Sequence, residues 1–115
     1  MRELSVEDFL IFRKENKLSS WSEGVYLLGN KTKNKFYVGQ SINVKDRIFA
    51  HFSGRGNGDV YADYIHNDQF IVRFYEFNKH QFRDINELEY HLIRIYEANK
   101  TGYNRQQGNR VRVVV

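Results

Sequence analysis

Apolar and polar positions along the chain divide it into seven short segments. Ser5 is placed to cap a first helix, with Glu7 and Asp8 in its opening turn, where the positive end of the helix dipole favours acids. Phe9, Leu10 and Phe12 give that helix an apolar side, and the pattern ends near Leu18, before Ser19 and Ser20. Two apolar runs follow, Val25 to Leu28 opened by Gly24, and Phe36 to Val38 closed by Gly39. The polar stretch between them, Gly29 to Lys35, carries glycine, asparagine and three lysines, so the pair reads as a β-hairpin. After Ser41 the spacing of Val44, Arg47, Ile48 and His51 predicts a helix, with Asn43 as its cap. Three glycines within residues 54–58 break it into a flexible loop.

A short helical piece is expected from Val60 to His66. Gln69 to Phe77 is rich in β-branched and aromatic residues and is apolar in both alternating sets, which predicts a central strand covered on both faces. Asn86 to Asn99 reads as the last helix, with Leu88, Leu92, Ile95 and Tyr96 on one stripe and Gly102 as its C-terminal cap. The tail from Arg110 alternates briefly, as an edge strand or a loose end. The outline is an α+β domain with helices packed on one sheet of about three strands.

Composition narrows this picture. The 115 residues suit a single core, and the hydrophobic (41%) and charged (28%) shares are those of an ordinary globular chain. There is no cysteine, which excludes disulfides, thiolate metal sites and a cysteine nucleophile. No apolar run reaches the roughly 18 residues of a membrane span, and the acidic first residues give no sign of a signal peptide. A cytoplasmic location is the expectation, in a prokaryotic cell or from a phage or mobile element. The net charge is +4, unevenly spread: residues 24–58 carry +5, residues 59–99 carry −4 and residues 100–115 carry +4. Two basic segments around an acidic one suit a polyanion such as nucleic acid, although a solvated basic surface reads the same way.

Several chemistries drop out. His51, His66, His80 and His91 have no H-x-H or H-x-x-x-H spacing, so a zinc site is not expected. There is no G-x-G-x-x-G or G-x-x-x-x-G-K-[ST] loop. What stands out is Gly24-Val25-Tyr26 opening one strand and Tyr37-Val38-Gly39 closing the next. Arg47 and His51 follow at i, i+4 on one helix face. A planar guanidinium there suits a phosphate, and an imidazole or phenol nearby can move a proton. Glu89 lies on the last helix, in E-x-x-L-I, and Gly102-Tyr103-Asn104 follows that helix.

In this order and spacing, GVY, YVG, Q-S, R-x-x-x-H, E-x-x-L-I and G-Y-N resemble the GIY-YIG nuclease family over residues 24–104. The resemblance implies a small antiparallel three-stranded sheet flanked by helices. It leaves residues 1–23 as an N-terminal helical extension and residues 105–115 as a basic tail. It also implies a divalent-metal-dependent DNA endonuclease that leaves 5′-phosphate and 3′-hydroxyl ends; a non-catalytic nucleic-acid-binding module on the same fold is the alternative. Glu89 would be the metal ligand, for one Mg²⁺ or Mn²⁺ per site, since a hard cation accepts a carboxylate oxygen plus waters. Arg47 would hold the scissile phosphate and Asn104 would support the site by hydrogen bonding. Tyr26, Tyr37 and His51 remain alternatives for the general base. Some relatives carry a lysine three residues after the second tyrosine; here that residue is Gln40. Lys33, Lys35, Lys45, Arg55, Arg105 and Arg110 are the expected DNA contacts. With few residues outside the motif, targeting is expected to come from the glycine loop, the basic tail, a homodimer or a partner protein.

Overall fold

The computed structural model describes residues 1–77 and 83–104. In chain order the elements are β1 (Arg2–Ser5), α1 (Val6–Lys14), β2 (Gly24–Asn30), β3 (Lys35–Ser41), α2 (Val44–Phe52), α3 (Gly58–Ile65), β4 (Phe70–Glu76) and α4 (Ile85–Ile95). The strands form one antiparallel sheet in the order β1-β4-β2-β3. The expected three strands are therefore corrected to four, within the α+β class. The extra strand is β1, which pairs Leu4 with Val72 on β4. Its four residues hold one apolar side chain, too few for alternation to be visible in sequence; pairing with β4 and the 2.6 Å ion pair from Glu3 to Arg73 hold it extended. His80, Arg105, Arg110 and the tail lie outside the described residues.

Strand alternation builds two cores. Tyr26, Leu28, Phe70, Val72 and Phe74 point to one face, where they meet Val6, Phe9, Trp21, Val44, Ile48, Phe52 and Val60 from the α1–α3 side. Val25, Leu27 and Val38 point to the other, against Leu88, Leu92, Ile93 and Ala98 of α4 and the turn after it. Each buried large side chain contributes roughly 1.5–3 kcal/mol. The double coverage of β4 follows its apolar content on both alternating sets, as expected.

Several boundaries move. The first helix ends at Lys14, and Ser5 caps it by accepting from the Asp8 amide at 3.1 Å. Asn43 sits at the N-cap of α2, but its side chain donates to Asp46 instead of capping. The last helix ends at Ile95, because Glu97 turns into the left-handed region (φ +51°); Gly102 comes later and is not its cap. Asp84 caps α4, accepting from the Glu87 amide at 2.9 Å. The buried stripe of α4 is Leu88, Glu89, Leu92 and Ile93, whereas Ile95 is 70% exposed. Glu89 thus lies on an otherwise apolar helix face.

Candidate active site

The hairpin register sets the geometry. Tyr26 on β2 pairs with Gly39 on β3, and Tyr37 on β3 lies two residues away on the same face. The absence of a side chain at Gly39 lets the Tyr26 ring lie across the strand; a Cβ there would run into the phenol. The Tyr26 and Tyr37 rings are 6.0 Å apart. From below, α2 delivers His51, which is fully buried, with its ring 5.6 Å from Tyr26 and 4.7 Å from Tyr37. The Tyr26 hydroxyl and His51 Nε2 share a 2.8 Å hydrogen bond. Arg47, one turn earlier on α2, is exposed at the rim of the cluster and interacts with Tyr26 and His51.

This setting shifts both titratable groups. Burial, reinforced by Tyr37, drives the Tyr26 phenol well above the usual tyrosine range, while Arg47 opposes the shift. Burial and then the Arg47 cation push the His51 imidazole down to about 4. At neutral pH the cluster is a neutral phenol against a neutral imidazole, with one guanidinium beside them.

Glu89 lies on the other side of β3. Gln40, three residues after Tyr37, points to the α4 face. Its amide nitrogen donates to Asn86 Oδ1 at 2.6 Å and to Glu89 Oε1 at 3.4 Å. Asn86, Glu89 and Gln40 therefore form an all-oxygen-and-amide group at the edge strand, with Glu89 only 6% exposed. Gln40 presents N–H groups, which do not ligate a metal, but the Glu89 carboxylate and the Asn86 carbonyl oxygen are donors that a hard divalent cation takes with added waters, so they fit an Mg²⁺ or Mn²⁺ ion. Among the described residues no three acids, histidines or cysteines cluster as a metal site would.

Asn104 acts on the backbone. Its Oδ1 accepts from the Val38 amide at 2.8 Å and its Nδ2 donates to the Val38 carbonyl at 2.7 Å. The side chain mimics a neighbouring strand and pins the edge of β3 between Tyr37 and Gly39.

The structure gives the described basic residues internal partners. Lys33 pairs with Asp63 at 2.7 Å, Lys35 lies over the Tyr103 ring at 4.6 Å, and Lys45 donates to Asn43 at 3.1 Å. The Arg55 guanidinium lies over Phe49 at 5.7 Å. Asp63 also accepts from the Tyr103 hydroxyl at 2.6 Å, and Tyr103 is joined through Asn30 to Asp68. Lys33 therefore ties the hairpin turn to α3, and Lys35 packs it on Tyr103.

Sequence reasoning missed Asn57 and Gly56. The Asn57 amide donates to His51 Nδ1 at 2.8 Å, while its side chain caps α3 and reaches the Tyr103 carbonyl at 3.4 Å. An asparagine just before Gly58-Asp59-Val60 is a legible capping signal; its reach back to His51 is not.

No helix among the described residues is long and apolar enough to cross a membrane. Neither a curated protein nor a solved structure matches the chain significantly. The GIY-YIG catalytic domain, however, matches residues 22–104, the span that contains the tyrosine pair, Arg47, His51, Glu89 and Asn104. With that match over most of its length, the chain belongs to the GIY-YIG family, whose domains are nucleases acting on DNA.

Proposed function

We propose that the chain is a divalent-metal-dependent DNA endonuclease that hydrolyses phosphodiester bonds to 5′-phosphate and 3′-hydroxyl ends. The observation that carries the reading is the convergence of Tyr37, His51 and Arg47 on the buried Tyr26 hydroxyl, in a chain of this family. Arg47, exposed at the rim, would take the scissile phosphate in a bidentate grip. The Tyr26 and Tyr37 hydroxyls would orient the attacking water beside it. Asn104 would support the site by clamping Val38 on β3, between Tyr37 and Gln40, which strand alternation puts on opposite faces. Glu89, with Gln40 and Asn86 around it, would hold one Mg²⁺ or Mn²⁺ ion. When bound, the ion supplies Lewis-acid neutralisation of charge developing on the phosphate and leaving oxygen. Gln40 cannot act as a lysine would at its position, since an amide neither carries charge nor titrates.

Plasmid nicking in Mg²⁺ by the purified protein, compared with Glu89→Ala, tests the reading. Metal-dependent nicking that disappears in the variant supports it. Salt-sensitive DNA binding with no cleavage would instead mark a binding module on a nuclease fold. One such site cuts one strand, so double-strand breaks would require two protomers or two encounters.

A further inference from the structure

We propose that the main-chain amide of Asn57, brought against the imidazole by the side-chain-free Gly56, locks His51 in its Nε2-protonated tautomer and makes it a hydrogen-bond donor to Tyr26. Its consequence for catalysis rests on the nuclease reading above; the hydrogen-bond assignment does not. The geometry leaves one arrangement. A main-chain N–H can only donate, so the 2.8 Å contact from Asn57 needs a lone pair on His51 Nδ1. A proton on Nδ1 would set two donors against each other at that distance. The single proton of the neutral ring therefore sits on Nε2, 2.8 Å from the Tyr26 oxygen, which accepts it. Gly56 permits the close approach, since a Cβ there would meet Nδ1 and come within 2.8 Å of the His51 Cα and Cγ.

Three consequences follow. His51 has no lone pair facing Tyr26 and does not take the Tyr26 proton. Tyr26 accepts from His51, with Arg47 as a further donor beside it, so its own O–H is directed elsewhere, Tyr37 being the neighbour across the strand pair. The glycine loop is thereby a positioning segment, and Asn57 joins it to α3 and to the chain just before Asn104.

The groups that face His51 are Tyr26, Tyr37, Arg47 and the Asn57 amide. Long-range ¹H–¹⁵N correlation spectra on ¹⁵N-labelled protein report the tautomer directly, with His51 assigned by its loss in His51→Gln. A ring protonated only at Nε2 between about pH 5 and 8 is expected. A ring protonated at Nδ1, or a fast-averaging ring that titrates near the ordinary 6.5, overturns the proposal. Two variants isolate the amide. Asn57→Pro suits the native φ of −70° but replaces the N–H with a ring methylene that must push the loop off Nδ1; Asn57→Ala keeps the N–H, and both lose the side-chain cap. The alanine variant should keep the wild-type tautomer and titration. The proline variant should populate both tautomers and titrate higher, because the lone pair on Nδ1 is released. Identical His51 spectra in the two folded variants overturn the proposal; if the proline variant does not fold, the wild-type spectrum decides alone. In nicking assays the proline variant should lose roughly 10–100-fold in kcat relative to the alanine variant with little change in KM. Failure of the wild type to cleave any DNA would sink the nuclease reading while the spectra still decide the tautomer.

Discussion

The two halves of the candidate site lie on opposite faces of the edge strand β3 and are held by different means. On the α2 face, Tyr26, Tyr37 and His51 are packed ring to ring and joined through hydrogen bonds from main chain and side chain. On the α4 face, Glu89 sits among leucines and isoleucines and meets the strand through the Gln40 amide. The first half is closely packed and neutral, with an arginine at the rim as its charge. The second is a carboxylate kept on an apolar helix face, where burial of a charge is costly unless it is paired or bound to a cation. On the proposed function the two halves would do different work. The buried ring cluster suits orientation of a nucleophile and phosphate, and the carboxylate suits a cation. Both are referred to the same strand, so Asn104, which clamps that strand, serves both.

The largest effect should come from the acidic half. Glu89→Ala is expected to lower Mg²⁺-dependent nicking on the order of a thousandfold. If the halves serve one phosphate, Tyr26→Phe added to Glu89→Ala should cost far less than it does alone; simple multiplication of the two losses would separate them.

Acid should break the ring half first. The His51 pKa is about 4 when folded and about 6.5 when unfolded, so the unfolded chain binds the extra proton between those values. This contribution to stability is complete above pH 6.5 and is lost as pH falls towards 4, by about 3 kcal/mol. Denaturant titrations across that range, repeated on His51→Gln, should show the slope shrink in the variant. A variant slope equal to that of wild type would remove His51 as its source.

Cutting the shared clamp should be milder. Asn104→Ala removes two hydrogen bonds to Val38, worth about 1–2 kcal/mol together, and should lower kcat through both halves. A stability loss of that size with unchanged kcat would make the clamp purely structural.

The smallest effect separates the hairpin tip from the site. Lys33 is held by Asp63 and Asp68, so Lys33→Ala should leave the salt dependence of DNA binding nearly unchanged. Lys45, with no acid as partner among the described ion pairs, should reduce the salt slope by about one when replaced by alanine. Equal slopes for the two variants would put the tip in contact with phosphate after all.

Much of this architecture is local chemistry. The hairpin, the Ser5 cap and the double-faced β4 follow from apolar periodicity and capping residues, and the ordered Tyr26, Tyr37, Arg47, Glu89 and Asn104 pattern was enough to suggest the family. The strand β1 was not legible, because its pairing with β4 lies about seventy residues away and its side chains do not alternate. The stripe of α4 differs from the expected one, with Ile93 buried in place of Ile95, since Leu88, Leu92 and Ile95 satisfy a helical spacing as well as Leu88, Leu92 and Ile93 do.

The sequence alone determined which chemical groups are available: two phenols, an imidazole, a guanidinium and one carboxylate, with no thiolate among them. It also fixed their order along a hairpin and two helices, because periodicity and capping act over a few residues. Only the tertiary structure decided which groups meet. Burial of His51 against Tyr26, the Asn57 amide at its far nitrogen and the meeting of Gln40 with Glu89 join residues that are distant in sequence or loop back on one another. Such contacts depend on how helices dock across a sheet, and that is settled by filling two cores at once, which no local pattern encodes.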